Sequence, residues 1–254
     1  MDRILIEKKD HIAVLTINHP PANTWDLETM EDFEKAVDNV AHDSDIWVVV
    51  ITGSGEKCFS AGFDVKDAAN GHITGPKGRK LWTKLDRFEK PVIAAINGFA
   101  LGGGLELALS CHFRIMADGP KVFTGLTELN LGIIPGWGGT QRLTQVVGKA
   151  MAMDMILFSK TVNAKEALEM GLVTKITPPE KLMEEALAFA ASLAKRPAIA
   201  VGCVLKAISS GIYEGLDKGL MVEEEGSARV MSSDDCREGF TAFIEKRPPV
   251  FTGK

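Results

Sequence analysis

The sequence predicts an α/β fold that runs into a helical C-terminal region, and three observations predict it. Short apolar runs at 12–17, 46–51 and 92–96 alternate with amphipathic stretches, the order that builds partly parallel sheets. Beyond Pro178 the period is helical almost to the end. A chain of 254 residues, 45% of them hydrophobic, is long and apolar enough to bury one large core.

Residues 4–7 and 12–17 flank Lys9-Asp10 and read as an opening hairpin, after which Asp26 caps an amphipathic helix over 27–42. The run Ile46-Trp47-Val48-Val49-Val50-Ile51 is apolar throughout and stops at Thr52-Gly53, as a strand covered on both faces does. Residues 68–80 carry Gly71, Gly75, Pro76 and Gly78 and read as a flexible loop able to act as a lid, ahead of a helix near 79–89. Strands follow at 92–96, 113–116, near Val122-Phe123 and at 172–176, with helices at 103–110, 138–158 and 164–170. In the C-terminal part Pro197, Gly211 and Ser233 are the expected helix breaks. The segment 187–194 is apolar around most of its circumference, which fits burial against the core or a partner chain, so a homo-oligomer is expected. The expected organisation is a core at 1–195 and a helical region at 196–254.

A formal net charge of −5 gives no basic field to draw in nucleic acid or an anionic membrane. No run of roughly 18 apolar residues is present, and Met1-Asp2-Arg3-Ile4-Leu5 does not open a signal segment, so a cytoplasmic location without a membrane partner is expected. Cys58, Cys111, Cys203 and Cys236 are scattered without a Cys-x-x-Cys pair and are expected to be reduced, most of them in the core. Five dispersed histidines make no metal signature, and phosphate-loop and Gly-x-Ser-x-Gly patterns are absent.

The chemistry gathers around Gly102-Gly103-Gly104 and two acids. A glycine triplet between a strand-like run and an apolar helical one marks a tight turn into a helix, where unpaired N–H groups and the positive end of the dipole favour an anion. Glu106 lies one helical turn beyond Gly103, on the same face. Glu128 precedes the loop Ile134-Pro135-Gly136-Trp137-Gly138-Gly139-Thr140. Upstream, Ala61 and Gly62 permit close backbone approach, so the N–H of Phe63 can join that of Gly103 in a two-donor hole for a carbonyl oxygen. Polarising a carbonyl and moving a proton at its α-carbon needs both such a hole and a placed acid or base, although a glutamate near a helix start also serves simply as a cap. Trp82, Leu85 and Phe88 share one helix face and either line a ligand pocket or form core, while Trp137 either limits a bound ligand or packs its loop.

Residues 59–67, 97–106 and 128–143 resemble the enoyl-CoA hydratase/isomerase family, the crotonase superfamily, and the likeness covers essentially the whole chain. Its most specific parts are Asn97-Gly98-Phe99-Ala100-Leu101-Gly102-Gly103-Gly104-Leu105-Glu106-Leu107-Ala108 and Gly132-Ile133-Ile134-Pro135-Gly136-Trp137-Gly138-Gly139-Thr140-Gln141-Arg142-Leu143, and the ending Glu245-Lys246-Arg247-Pro248-Pro249-Val250-Phe251 is similar as well. The resemblance implies a crotonase-like spiral of ββα units with a C-terminal helical oligomerisation region, assembled as a trimer or a dimer of trimers. It also implies acyl-CoA thioesters as substrates, with no metal or separate cofactor. Carried over by motif, Phe63 and Gly103 supply the oxyanion-hole N–H groups, Glu106 and Glu128 are the two carboxylates of hydratases, and Gly136 contacts the catalytic water. Expected substrate contacts are Ala22, Ala61, Asp64, Trp82 and Trp137. Phe243 and Lys246 resemble tail residues that approach coenzyme A bound by a neighbouring subunit.

Two departures stand out. Cys111-His112 replaces a common Cys-Asp, which gives His112 a structural polar contact, and the region of Pro21 and Ala22 lacks a common basic residue. The expected reaction is reversible syn hydration of a trans-2-enoyl-CoA. The alternatives are an enoyl-CoA isomerase, which need not activate water, and a non-catalytic acyl-CoA-binding protein.

Overall fold

The computed structural model describes residues 2–254; Met1, part of the N-terminal stretch read above, lies outside them. Apolar residues pair Ile4–Lys9 (β1) with Ile12–Ile17 (β2) antiparallel, Ile4 facing Ile17. The turn falls at Asp10-His11 rather than Lys9-Asp10, because Lys9 still pairs with Ile12 and the two loop residues take the positive φ values (50° and 66°) that a two-residue hairpin needs. Asp26 accepts a hydrogen bond from the Thr29 N–H (2.7 Å) and starts α1, Leu27–His42, as read. The apolar run that follows becomes β3, Val48–Gly53, buried along its whole length. It starts at Val48 because the N–H groups of both Trp47 and Val48 donate to His11 O.

In chain order there follow β4 (Cys58–Ser60), a 3-10 turn at Val65–Asn70, α2 (Gly71–Asp86), β5 (Val92–Ile96), β6 (Phe99–Leu101), α3 (Gly103–Ser110), β7 (Phe113–Ala117) and β8 (Phe123–Gly125). Next come α4 (Gly139–Val147), α5 (Lys149–Leu157), β9 (Thr161–Asn163), α6 (Ala164–Glu169), β10 (Lys175–Thr177), α7 (Leu182–Leu193), α8 (Ala198–Glu214), α9 (Leu216–Met231) and α10 (Asp234–Glu245). A six-stranded sheet in the order β1-β2-β3-β5-β7-β10 is parallel apart from its opening hairpin. α7 packs one face, with Ala186 and Ala190 buried, against β3, β5 and β7, while Leu187 and Ala188 stay exposed. The second sheet, β4-β6-β8-β9, has four short strands and carries the candidate site at one edge.

The strand expected at 172–176 is confined to Lys175–Thr177, and three further sequence expectations change. Residues 71–86 form one helix instead of a flexible loop, since Thr74, Gly78, Leu81, Trp82 and Leu85 recur at helical spacing and bury a face, and tertiary packing outweighs low propensity. Pro76 is tolerated on the exposed side of the helix, where His72, four residues earlier, is exposed as well. The helix expected over 138–158 splits at Gly148, whose φ of 79° ends α4. Gly211 lies inside α8, with the break at Gly215 (φ 97°), because Gly211 is where α8 and α9 touch: a Cβ on Gly219 would stand 2.7 Å from Gly211 Cα. The short strands β4, β6 and β9 were not read from the sequence.

Cys58 and Cys111 are buried, Cys203 and Cys236 half-buried, and all four are free. His112 Nδ1 accepts the Val92 N–H (2.9 Å), the structural contact expected of it. Among the described residues no single helix is long and apolar enough to cross a membrane; 179–193 and 198–214 pass that test only as a pair, bent by 101°.

Candidate active site

β4, β6 and β8 run parallel, with Ser60 beside Ala100 and Ala100 beside Thr124. Their carboxyl ends therefore open on one edge, where the residues that follow each strand meet, as ligand sites of parallel sheets do. After β4, Gly62 turns with φ 85°, and a Cβ there would lie 2.7 Å from Gly103 N, so the first turn touches the second only because position 62 has no side chain. Trp25 brackets the next residue: its N–H donates to Gly62 O (2.9 Å) and its O accepts the Asp64 N–H (3.1 Å). In a parallel bridge of this kind the enclosed Phe63 turns its own N–H to the opposite side. Beyond β6, Gly103 opens α3, and the first N–H of a helix has no acceptor within it. Phe63 and Gly103 both line one cavity.

Glu106 is one turn further along α3 and only 2% exposed. Its Oε1 accepts the N–H groups of Trp137 (2.7 Å) and Gly139 (2.8 Å), which ties the start of α4 to α3. Burial raises its pKa above the usual carboxylate value, against the opposing pull of the two N–H donors, Arg142 and Arg79. Glu128 follows β8 and begins a 3-10 turn. It is 9% exposed, and its Oε2 is buried without a hydrogen-bond partner among the described residues. Burial first, and then the negative charge of Glu106, push the Glu128 carboxyl up to about 7. The two carboxyls therefore differ in their partners: Glu106 Oε1 is held by two N–H donors, whereas Glu128 Oε2 has none among the described residues.

Both acids line a cavity of about 230 Å³ with Ala61, Phe63, Gly102, Gly103, Gly136 and Trp137. Gly102, at φ 52°, admits the Glu128 carboxylate, whose Oε1 would stand 3.2 Å from a Cβ at that position. Gly71 and Gly75 form a wall of the same cavity, so the segment expected to be a lid is in place as helix rather than loop. Exposed Val65, Leu131, Ile133 and Ile134 give the cavity an apolar rim that was missed in the sequence. Its only signal was apolar residues standing inside glycine-bounded loop motifs, where no core face is available.

Other expected contacts lie elsewhere. Trp82 is fully buried behind the cavity, not on its wall; its Nε1 donates to Gly103 O (3.2 Å), and its ring packs edge-on against Trp25 and Trp137. Asp64 is not on the wall either, since its carboxylate accepts from Thr24 Oγ1 (2.7 Å) and from the Lys66 N–H as a turn cap. Ala22 is one step removed, its carbonyl accepting the Ala61 N–H (3.0 Å). Phe243 and Lys246 sit at the end of α10, away from the cavity walls, with Phe243 84% exposed. No cluster of three or more metal-ligating side chains occurs among the described residues.

Comparison with known proteins matches residues 7–254 to the family described as enoyl-CoA hydratase/isomerase. The chain is 39% identical to a short-chain-enoyl-CoA hydratase of Clostridium acetobutylicum, over 97% of this chain and 96% of that one. It is 39% identical to a crotonyl-CoA hydratase of Syntrophomonas wolfei over 100% and 99% of the two chains. The crystal structure of an enoyl-CoA hydratase from Bacillus anthracis superposes with a TM-score of 0.94 at 37% identity, covering 99% of this chain and 100% of the other.

Proposed function

The chain belongs to the enoyl-CoA hydratase/isomerase family and is an enoyl-CoA hydratase, and from that premise we propose how its residues carry out reversible syn hydration of a trans-2-enoyl-CoA to a 3-hydroxyacyl-CoA. The observation that supports the mechanism is the meeting of Phe63, Gly103 and two differently held glutamates on one cavity. The N–H groups of Phe63 and Gly103 polarise the thioester carbonyl and hold the enolate-like oxygen that develops on it. Glu106, kept in place by two N–H donors, orients a water and accepts its proton as the oxygen bonds to the β-carbon; the Gly136 backbone contacts that water. Glu128 gives its proton to the α-carbon on the same face. Proton count balances, for one glutamate gains what the other gives up, and no electrons are transferred, so coenzyme A enters only as part of the substrate.

We read 1–195 as the catalytic core and 196–254 as the region of assembly into trimers or dimers of trimers. Exposed Val204, Ile208, Ile212 and Leu220 along α8 and α9 support this, and the exposure of Phe243 and Lys246 fits contact with coenzyme A held by a neighbouring copy.

The deciding experiment follows loss of the conjugated thioester absorbance of crotonyl-CoA, with product mass as a check. Gain of one water by the wild-type protein and none by Glu128→Gln is the expected result. A shifted double bond without added water would make the enzyme an isomerase, and tight binding without turnover of any enoyl-CoA would make it a binding protein.

A pH effect follows from the state of Glu128. As the proton donor of hydration it must be protonated, so hydration is expected to fall as pH rises through about 7, while dehydration, which needs it ionised, rises over the same range. Stability moves with it. The folded pKa lies above the ordinary value of 4.5, so the contribution of Glu128 to stability is fully present below 4.5 and is lost as pH rises through about 7. Thermal unfolding of the ligand-free protein should therefore show Glu128→Gln gaining on wild type between mildly acidic and mildly alkaline buffer; parallel melting curves across that range would count against the raised pKa.

A further inference from the structure

Behind the turn that holds Glu106 lies a partly buried ionic cluster drawn from three helices. Arg142 of α4 is 7% exposed and uses its whole fork: Nη1 donates to Trp137 O (2.8 Å), Nε to Asp86 Oδ2 (3.0 Å) and Nη2 to Thr83 Oγ1 (3.3 Å). The Asp86 oxygen is also bonded by the Tyr213 hydroxyl of α8 at 2.5 Å. Gly138, with φ 109°, closes over the guanidinium, and a Cβ there would run into Nη1. Trp137 and Gly139 flank that glycine and are the residues whose N–H groups hold Glu106 Oε1. The same short turn is therefore gripped on one side by Arg142 and grips the glutamate on the other.

We propose that Arg142 is a positioning residue of the hydration reaction: anchored by Asp86, it fixes the Trp137-Gly138-Gly139 turn so that its two N–H groups aim the Glu106 carboxylate at the reacting water. A buried fork with three different acceptors leaves its turn one arrangement, whereas a lone ammonium makes a point contact. Side chains that act on substrate need supports of this kind, because displacement by about 1 Å can cost about 10²-fold in rate. The charged groups facing Glu106 are Arg142 from α4, Arg79 from α2 and Glu128 from the 3-10 turn. Arg142 thus also favours the ionised form that Glu106 needs as a base. The inference rests on the assignment of Glu106 above.

The test compares Arg142→Met, Arg142→Lys and Glu106→Gln with wild type on crotonyl-CoA, each corrected for folded fraction by circular dichroism. For Arg142→Met, kcat should fall about 10- to 100-fold with KM within about threefold, and the acid limb of kcat/KM should move to higher pH because a cation facing Glu106 is gone. Arg142→Lys keeps the charge without the fork, so kcat falls while the acid limb stays. A purely structural arginine would lower melting temperature and leave kcat of the folded protein and both limbs unmoved; that result overturns the proposal. Should Arg142→Met fail to fold, wild-type kcat in Arg142→Lys overturns it instead. An inactive Glu106→Gln beside fully active arginine variants sinks this inference alone, whereas an active Glu106→Gln sinks the role of Glu106 beneath it.

Discussion

Replacing Glu128 or Glu106 by Gln is expected to lower kcat for enoyl-CoA hydration by about 10²–10⁴ with the fold retained. Each substitution keeps shape and removes only proton chemistry. In Glu106→Gln the amide oxygen can still accept from Trp137 and Gly139 N–H, so the tie between α3 and α4 persists. In Glu128→Gln no hydrogen bond of the unpartnered Oε2 is there to lose, and the cost of ionising a buried group disappears. Circular dichroism should therefore match wild type for both while single-turnover rates collapse. Turnover near wild type in either folded variant would remove that residue from the mechanism.

Gly103→Ala should be equally damaging by a different route. Its Cβ would fall 2.5 Å from Trp137 Cε3 and 3.3 Å from Gly62 Cα, in a place bounded by a ring 5% exposed and by the neighbouring turn. Either the indole or the backbone must shift, and both border the two donors. Loss of one oxyanion donor costs about 10²–10³ in kcat, and overpacking a filled site costs about 1–3 kcal/mol of stability. Kinetics on crotonyl-CoA together with a thermal melt separate the two effects. A variant that melts lower yet turns over normally would show that the added Cβ is absorbed without displacing the backbone donors, since alanine keeps its own N–H.

Much of this was legible from sequence because the signals are local. Asp26 caps its helix at the expected residue, the apolar runs form buried strands, and the glycine triplet turns into α3 with Glu106 one turn on. Where burial opposes local propensity the reading fails. Gly71, Gly75, Pro76 and Gly78 argue for a loop, yet the face made by Thr74, Leu81, Trp82 and Leu85 packs as helix. Helical period placed Trp82 correctly on the inner face but could not say whether that face meets substrate or core, and it meets core. Least legible is the cluster around Asp86, whose partners Arg142 and Tyr213 lie 56 and 127 residues away in sequence and meet only through the fold.

The aromatic column behind the cavity has an optical consequence. Trp137 lines the cavity, Trp82 stands 5.3 Å behind it and Trp25 another 5.0 Å deeper, while Trp47, the fourth, stacks on His11. Rings this close share excitation, so light absorbed deep in the core can reach the indole on the cavity wall. A ligand seated against that wall is therefore expected to alter the emission of the inner tryptophans as well, which a fluorescence titration of the unlabelled protein with crotonyl-CoA checks.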